Sequence, residues 1–363
     1  MKRFSVVAVL TVLGTLAAAV AAQRGPAVIA PAAAGSATAK AVTAANAFLA
    51  MLDAGERAKA AFPFDSAQKT NWSNLPSGIY QRNSVKLGDL APAKRDAAMA
   101  LVAAVLSTDG YRKVTDIMNG DEVLRGAGGG QTGGRAGGGG PGGRGGGGRG
   151  GGVAFGKDLY YIAVLGSPST TTPWMVQFGG HHLAINVTIV GRNNVITPSL
   201  PAAQPAKYTL NGQTIRPLGK ENDKAFALMA VLNAEQRKQA ILNYRVSDLV
   251  LGPGEDGKTI QPEGIVATAL NENQQDMLLD IAHEWVGILN DEGAAARMAE
   301  IRTNLPRTYF AWSGATENGG IAYYRIQGPT VLIEYAPQQG DLDHIHTIYR
   351  DPTNDYGARL VTP

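Results

Sequence analysis

Apolar residues along this chain recur with two different periods, which mark helices and strands. A first helix has its apolar anchors at helical spacing, Val42, Phe48, Leu49 and Leu52. Pro92 suits the first turn of a second helix, where its missing N–H has no intrahelical partner to lose. The same spacing predicts helices over residues 37–61, 92–106, 111–124, 223–242, 273–289 and 293–303.

Between the helical stretches, β-branched and aromatic residues dominate and predict strands. We expect strands over residues 158–165, 174–190, 307–313 and 320–335, and a last strand that follows a turn at 337–340 and ends near residue 349. Consecutive strands joined by short turns pair antiparallel. The pattern therefore predicts an α+β fold in which helices pack on an antiparallel sheet.

The two halves of the chain show the same order of elements. In each half, 38 residues separate the end of the first helix from the start of the next, at Leu52 and Leu90 and again at Leu232 and Leu270. This equal spacing predicts a tandem repeat, each copy being a helical pair followed by an antiparallel β-hairpin. Two such lobes would leave a cleft between them, a common place for a ligand. The predicted copies span residues 37–200 and 206–363.

Residues 1–22 are typical of a secretory signal peptide. Lys2 and Arg3 precede an apolar run, and small residues suited to signal peptidase follow near Ala21. The apolar run is short for a membrane span, and no later segment is long and apolar enough to cross a bilayer. We therefore predict an exported protein, periplasmic or extracellular, with a flexible lead-in over residues 23–36 and no stable membrane span once the signal is removed.

Residues 126–152 are nearly all glycine with scattered arginine. Such a tract buries too little surface to offset the entropy of ordering it, so we predict a disordered insert. The formal net charge of +3 includes its three arginines together with Lys2 and Arg3, and without these five cations about −2 remains, which argues against a nucleic-acid partner. The chain has no cysteine, which excludes disulfides and thiolate metal ligands.

The chain has five histidines, and two of them stand one residue apart in the last predicted strand. Side chains alternate between the two faces of a strand, so His344 and His346 are expected to point the same way, about 7 Å apart along the backbone. Two imidazoles on one face of a strand form a candidate functional site.

The other three histidines differ in their predicted settings. His182 shares the polar face of its predicted strand with Asn186, whereas His181 shares the apolar face. We therefore select His182 as functional and expect His181 in the core or at a sheet edge. His283 lies opposite the apolar stripe of its helix, which predicts a solvated position.

An H-x-H pair with a third histidine from another strand suits a metal site that keeps one open position. The predicted metal ligands are therefore His182, His344 and His346. Zinc is the first expectation, with copper or iron as alternatives, because imidazole suits all three. A bound metal can lower the pKa of a water molecule and make it a nucleophile near neutral pH.

Charged residues around the H-x-H pair add candidate roles. Arg350 can hold a substrate carboxylate or phosphate, and Asp343 or Asp355 can orient a ligand ring or act as general base. Two alternatives stay open. Arg350, Asp351 and Asp355 can instead form a salt-bridged turn that closes the last strand onto the body. One histidine can also act as a general acid or base without a metal.

Three short motifs stand out along the chain: Trp72–Pro76, Gly179–Leu183 (GGHHL) and His344–Gly357 (HIHTIYRDPTNDYG). At these motifs the chain resembles a bacterial exported family known only as a domain of unknown function, DUF3500. The resemblance runs from near residue 40 to near residue 360, apart from the glycine tract, and implies no reaction, substrate or cofactor. It implies that the family's own pattern includes His182, Asn186, His344, His346, Arg350, Asp351, Asn354, Asp355 and Tyr356.

The leading hypothesis is an exported, metal-dependent and hydrolase-like enzyme. Its histidine site would lie in the cleft between the repeats and act on a small molecule. The alternative is a non-catalytic binding protein of the cell envelope that holds a small anionic ligand in the same cleft.

Overall fold

Helix caps and tight turns divide the chain into short elements. The structure, a computed structural model, describes residues 35–128 and 152–361. The predicted signal peptide, nearly all of the lead-in and all but the ends of the glycine-rich insert lie outside the described residues. The helices are α1 (Ser36–Met51), α2 (Ala54–Ala60), α3 (Pro92–Val105), α4 (Thr108–Gly126), α5 (Gly219–Val231), α6 (Ala234–Ala240), α7 (Glu272–Val286), α8 (Asp291–Asn304) and α9 (Ala358–Val361).

Capping residues divide two of the predicted helices. Asp53 accepts a hydrogen bond from the Glu56 N–H, and the Glu56 side chain accepts one from the Asp53 N–H, each at 2.9 Å. Asn233 and Gln236 form the same capping box before α6. A capping box begins a new helix because it satisfies N–H groups that a helix start leaves unpaired. The single helices predicted over 37–61 and 223–242 are therefore pairs, α1–α2 and α5–α6.

The strands form two main sheets, and the fold is α+β. One sheet has the order β1-β3-β4-β5-β6, with β2 on β3 and β7 on β5; the second has the order β10-β11-β12-β13-β14. The pairs are antiparallel except β1 with β3. The strands are β1 (Ala61–Phe62), β2 (Val85–Lys86), β3 (Tyr161–Leu165), β4 (Trp174–Gly180), β5 (Leu183–Val190), β6 (Asn193–Val195), β7 (Leu200–Pro201), β8 (Tyr208–Leu210), β9 (Gln213–Ile215), β10 (Ile265–Val266), β11 (Tyr309–Gly314), β12 (Ala322–Gly328), β13 (Val331–Pro337) and β14 (Ile345–Arg350).

Helix α7 shows how an apolar stripe meets a sheet. Leu278, Ile281 and Trp285 recur on one face and are buried, whereas His283 is exposed, as predicted. The Trp285 indole donates to the Thr347 hydroxyl of β14 at 2.9 Å, so α7 packs on the second sheet. None of the helices in the described ranges has the length and apolar character that crossing a membrane requires.

Isolated β-bridges join the first half of the chain to the second. Leu106, directly after α3, forms an antiparallel bridge with Leu289, which follows α7. Ala203, just past β7, forms another with Ile345, the first residue of β14. Since β7 also pairs with β5, this contact brings the start of β14 close to the β4–β5 turn.

Candidate metal centre

The β4–β5 turn carries the first two histidines. His181 and His182 are its two residues, because Gly180 pairs with Leu183 across it. The continuous strand predicted there is wrong, and the alternation of strand faces does not apply to this pair. Glycine is needed at position 180 because a Cβ would lie 2.8 Å from the Tyr160 ring. His182 has a φ of 58°, in the left-handed region that turns use and that few non-glycine residues adopt.

Two neighbouring segments fix the backbone of His182. Its N–H donates to the Asn74 carbonyl at 3.0 Å, and its own carbonyl accepts from the Ala202 N–H at 2.8 Å. The His182 side chain is buried. These bonds pair the N–H and carbonyl of a turn residue that lies outside the sheet ladder, and they fix the backbone from which the imidazole projects.

The H-x-H pair lies at the start of β14. His344 immediately precedes the strand and His346 lies within it, opposite Ala336 of β13. His346 is buried and His344 is half-buried. β14 pairs with β13 on one side and forms the bridge to Ala203 on the other, and these contacts fix the backbone that carries both imidazoles.

The three imidazoles converge on one point. The Nε2 atoms of His182 and His344 lie 2.8 Å apart, and those of His344 and His346 lie 3.1 Å apart. One nitrogen from each ring lies within 4.8 Å of the other two. Nitrogens bound tetrahedrally at about 2.0–2.1 Å to one zinc ion would be about 3.3 Å apart. The three histidines can therefore hold a metal ion with little rearrangement.

A carboxylate sets the tautomer of His346. Its Nδ1 lies 2.8 Å from an Asp248 oxygen, and this bond helps to lower the pKa of Asp248 against the effect of burial. An ionised carboxylate accepts hydrogen bonds and donates none, so in the neutral ring Nδ1 carries the hydrogen and Nε2 presents a lone pair. A second-layer carboxylate of this kind is typical of metal-ligating histidine.

The other two imidazoles are neutral near neutral pH. Burial lowers the pKa of His344 from its ordinary 6.5 to about 4, and the nearby His346 adds to the effect. Burial also holds the pKa of His182 well below its usual range, with the neighbouring imidazoles acting in the same direction. Neutral imidazole is the form that binds a metal ion.

His181 contacts the cluster through its neighbour His182. Its ring stacks on that of His182 with 3.7 Å between centroids, and its Nδ1 lies 2.6 Å from Asp121. Asp121 is buried and also accepts from the Gly156 N–H at 2.8 Å. His181 is thus a buried, partnered histidine, in keeping with the structural role predicted for it, although it lies in a turn and not in a strand.

Arg350 lies at the end of β14 and is buried. Its guanidinium donates to the carbonyls of Leu251 and Gly252 at 2.8 and 2.7 Å. It also donates to Asp256 at 2.8 Å and to Asp355 at 3.0 Å. Burial raises the pKa of Asp355 to about 6, although Arg350 opposes the shift. This is the geometry of the salt-bridged turn considered as the structural alternative, and a role for either residue in catalysis stays a prediction.

The residues that follow Arg350 join the same buried network. Asp351 accepts from the Arg359 guanidinium at 3.2 Å, and the Asn354 side chain accepts from the Arg359 N–H at 2.9 Å. The Tyr356 hydroxyl accepts from the Trp72 indole at 2.7 Å. These contacts tie the end of the chain to the body of the protein.

Two further predicted site residues hold neighbouring backbone or side chains. Asn186 accepts from Gln177 at 3.1 Å and donates to the Pro198 carbonyl at 2.8 Å, so both ends of its buried amide are used. The exposed Asp343 accepts from the Ala206 N–H at 2.9 Å. The carboxylate that contacts a cluster histidine directly is thus Asp248, and the role predicted for Asp343 stays a prediction.

Sequence reasoning missed three residues that surround the cluster, Asp248, Asp121 and Asn74. The Asn74 amide nitrogen lies 3.3 Å from His346 Nε2. Asn74 falls within one of the three motifs that carry the family resemblance, so that motif could have marked it. Asp248 and Asp121 belong to no such motif, and neither has a local sequence signal.

The sequence profile of a family described as a protein of unknown function, DUF3500, matches residues 34–358. The match covers nearly the whole chain, so the chain belongs to this family, as its motifs indicated. No curated protein and no solved structure matches the chain. The family's description supplies no reaction, and function is therefore argued from the site.

Proposed function

We propose that this DUF3500 protein binds one divalent metal ion through the Nε2 atoms of His182, His344 and His346. One observation carries the proposal. Three ring nitrogens face one another, two pairs of them at 2.8 and 3.1 Å, and they share too few protons to hydrogen-bond among themselves.

The proton count follows from the tautomers. In the neutral His346 ring, the contact with Asp248 holds the hydrogen on Nδ1, so Nε2 has a lone pair. A neutral His344 has at most one hydrogen on Nε2, and this hydrogen bonds fully to one neighbour or is shared weakly between two. Without a cation, at least one of the two contacts therefore lacks a full hydrogen bond or sets two lone pairs or two hydrogens against each other in a buried site. A cation at the common point accepts all three lone pairs at once, which the metal-free general acid–base alternative cannot do.

Zinc is the first candidate, with copper or iron as alternatives. Three imidazoles and one open position are the ligand set of a catalytic zinc ion, and imidazole also suits copper and iron. A bound ion would lower the pKa of a water molecule at the open position and polarise a substrate oxygen. We therefore propose a hydrolase-like reaction on a small molecule.

The rival function is non-catalytic binding of a small anion in the same cleft. The rival is favoured because both carboxylates that could serve as general base already accept hydrogen bonds. Asp343 accepts one from the Ala206 N–H, and Asp355 accepts one from the Arg350 guanidinium. Hydrolysis of an activated ester such as p-nitrophenyl acetate that is lost in His344→Ala would favour the enzyme. Anion binding without hydrolysis would favour the rival.

We also propose that the two halves are a tandem duplication with the centre at their junction. Arg57 donates to the carbonyl of Leu49, and Arg237 donates to that of Met229, so the same bond recurs with both residue numbers raised by 180. Contacts at a constant offset are expected when one unit is copied. Two more bonds recur at this offset: Arg95 to Leu87 with Gln275 to Ala267, and Lys94 to Glu56 with Gln274 to Gln236.

Export to the periplasm or the cell exterior is part of the same proposal. It is supported by the sequence of residues 1–22 alone, whose basic start, apolar run and small residues suit a signal peptide.

Metal analysis of protein purified without a histidine tag tests the metal centre. We expect close to one metal ion per chain in the wild type, and almost none in His344→Ala or His346→Ala. His283→Ala is the matched control, because this exposed histidine lies outside the cluster and its loss should leave the metal content unchanged. Equal metal content in all four proteins would overturn the proposal.

A further inference from the structure

Asn74 touches two of the three proposed ligands from a segment that carries none of them. Its carbonyl accepts from the His182 N–H at 3.0 Å, and its amide nitrogen lies 3.3 Å from His346 Nε2. The side chain is buried, with 8% of the residue exposed. A buried amide placed this closely beside two ligands has a defined position relative to the ion they would hold.

The orientation of the Asn74 amide follows from the tautomer of His346. Because Asp248 keeps the ring proton on Nδ1, the Nε2 atom is an acceptor, and the group that faces it is the amide NH2. A metal ion would take this same lone pair. The amide N–H would then need another acceptor, and leaving it unpaired in a buried site is unfavourable. An atom bound at the open position of the metal would supply that acceptor.

Arg82 holds the Asn74 segment in place. Its guanidinium donates to the carbonyls of Ser73 and Leu75, on either side of Asn74, at 2.7 and 2.8 Å. The same nitrogen donates to the Gly180 carbonyl at 2.8 Å, at the base of the turn that carries His182. One cation thus fixes the Asn74 segment against the turn.

We propose that the Asn74 amide donates a hydrogen bond to an anionic atom bound at the open position of the metal centre. This inference rests on the proposed function and gives it a ligand class, a small anion or the anionic oxygen of a substrate. Asn74 has no titratable proton, so its part is to bind and orient the ligand and not to transfer protons.

Azide binding to cobalt-loaded protein tests the inference, since the visible spectrum of Co²⁺ reports a change at the open position. We expect Asn74→Ala and Asn74→Leu to keep one cobalt ion per chain and to bind azide about tenfold more weakly than the wild type, the usual effect of losing a hydrogen bond to a charged group. Asn83→Ala is the control, because Asn83 is an exposed asparagine of the same loop and should bind azide like the wild type.

Three outcomes would separate this inference from the metal centre itself. Azide affinity within about twofold of the wild type in both variants would overturn the inference and leave the centre standing. Asn74→Asp keeps the size of the side chain but not its N–H. If this variant and the other two all lose cobalt, the inference is also overturned, because Asn74 would then be needed to bind the metal and not the anion. A wild-type protein that takes up no cobalt would overturn the proposed centre.

Discussion

The Nε2 atoms of His182 and His344 lie 2.8 Å apart although 162 residues separate them in the chain. The contact depends on two features of the fold. The β4–β5 turn presents His182, and the bridge between Ala203 and Ile345 brings the start of β14 to that turn. Each proposed ligand is thus held by sheet hydrogen bonds or by a tight turn.

Asp248→Asn should weaken metal binding by about 10–100-fold, the usual effect of losing a second-layer carboxylate. The carboxylate holds the His346 proton on Nδ1, whereas an amide can donate to Nδ1 and move the ring proton onto Nε2, where the metal would bind. Competition with a chromophoric chelator measures the affinity. Asp89→Asn changes an exposed aspartate and should leave the affinity unaltered.

Asp121→Ala should lower the free energy of unfolding by about 3 kcal/mol, because it leaves the His181 ring N–H and the Gly156 N–H without their buried acceptor. Urea denaturation followed by circular dichroism measures the change. Asp109→Ala serves as control, since its ion pair with Arg112 is exposed on both sides and such pairs contribute at most about 1 kcal/mol. Equal losses in the two variants would contradict the assigned role of Asp121.

Arg350→Met should destabilise the fold by about 3–5 kcal/mol, because Asp256 and Asp355 would lose the cation that both contact in a largely buried network. The folded fraction should keep its metal, since the guanidinium contacts the turn and not the imidazoles. Arg302→Met removes an exposed pair with Asp276 and should cost about 1 kcal/mol or less. A stable Arg350→Met protein that loses only ligand binding would favour the substrate-holding role instead.

The metal-free protein should become less stable as the pH falls from 6.5 toward 4. In the unfolded chain His344 binds a proton below about pH 6.5, whereas in the folded protein it does so only near pH 4. Between these values the unfolded state binds more protons, so the free energy of unfolding decreases as the pH decreases. Urea titrations at several pH values measure the slope. His344→Gln should show a shallower slope over this range, and an unchanged slope would count against a neutral His344.

Local sequence patterns predicted much of the fold. The starts of α3 and α7 and the strands β11 and β14 follow from local spacing and cap residues, which act over a few positions. The single strand predicted over 320–335 is wrong, because β12 and β13 are two strands that pair antiparallel across a tight turn. The missed break in the first helix also had a local cause, because Asp53 and Glu56 already form a capping box in the sequence.

The site was only partly predictable because its residues come from segments that are far apart in the chain. The H-x-H spacing is local and marked His344 and His346. His182 joins the cluster although the strand alternation that selected it does not hold, since the residue lies in a turn. Asp248 reaches His346 across 98 residues and Asp121 reaches His181 across 60. Such pairings depend on the folded chain and leave no trace in residue spacing.

X-ray absorption at the zinc edge of the zinc-loaded wild-type protein measures which atoms surround the bound ion. We expect three imidazole nitrogens and one further light atom at about 2.0–2.1 Å from zinc. His182→Ala, His344→Ala and His346→Ala should each remove this signal. A zinc ion surrounded mainly by oxygen, or a spectrum unchanged by all three substitutions, would contradict the proposed metal centre.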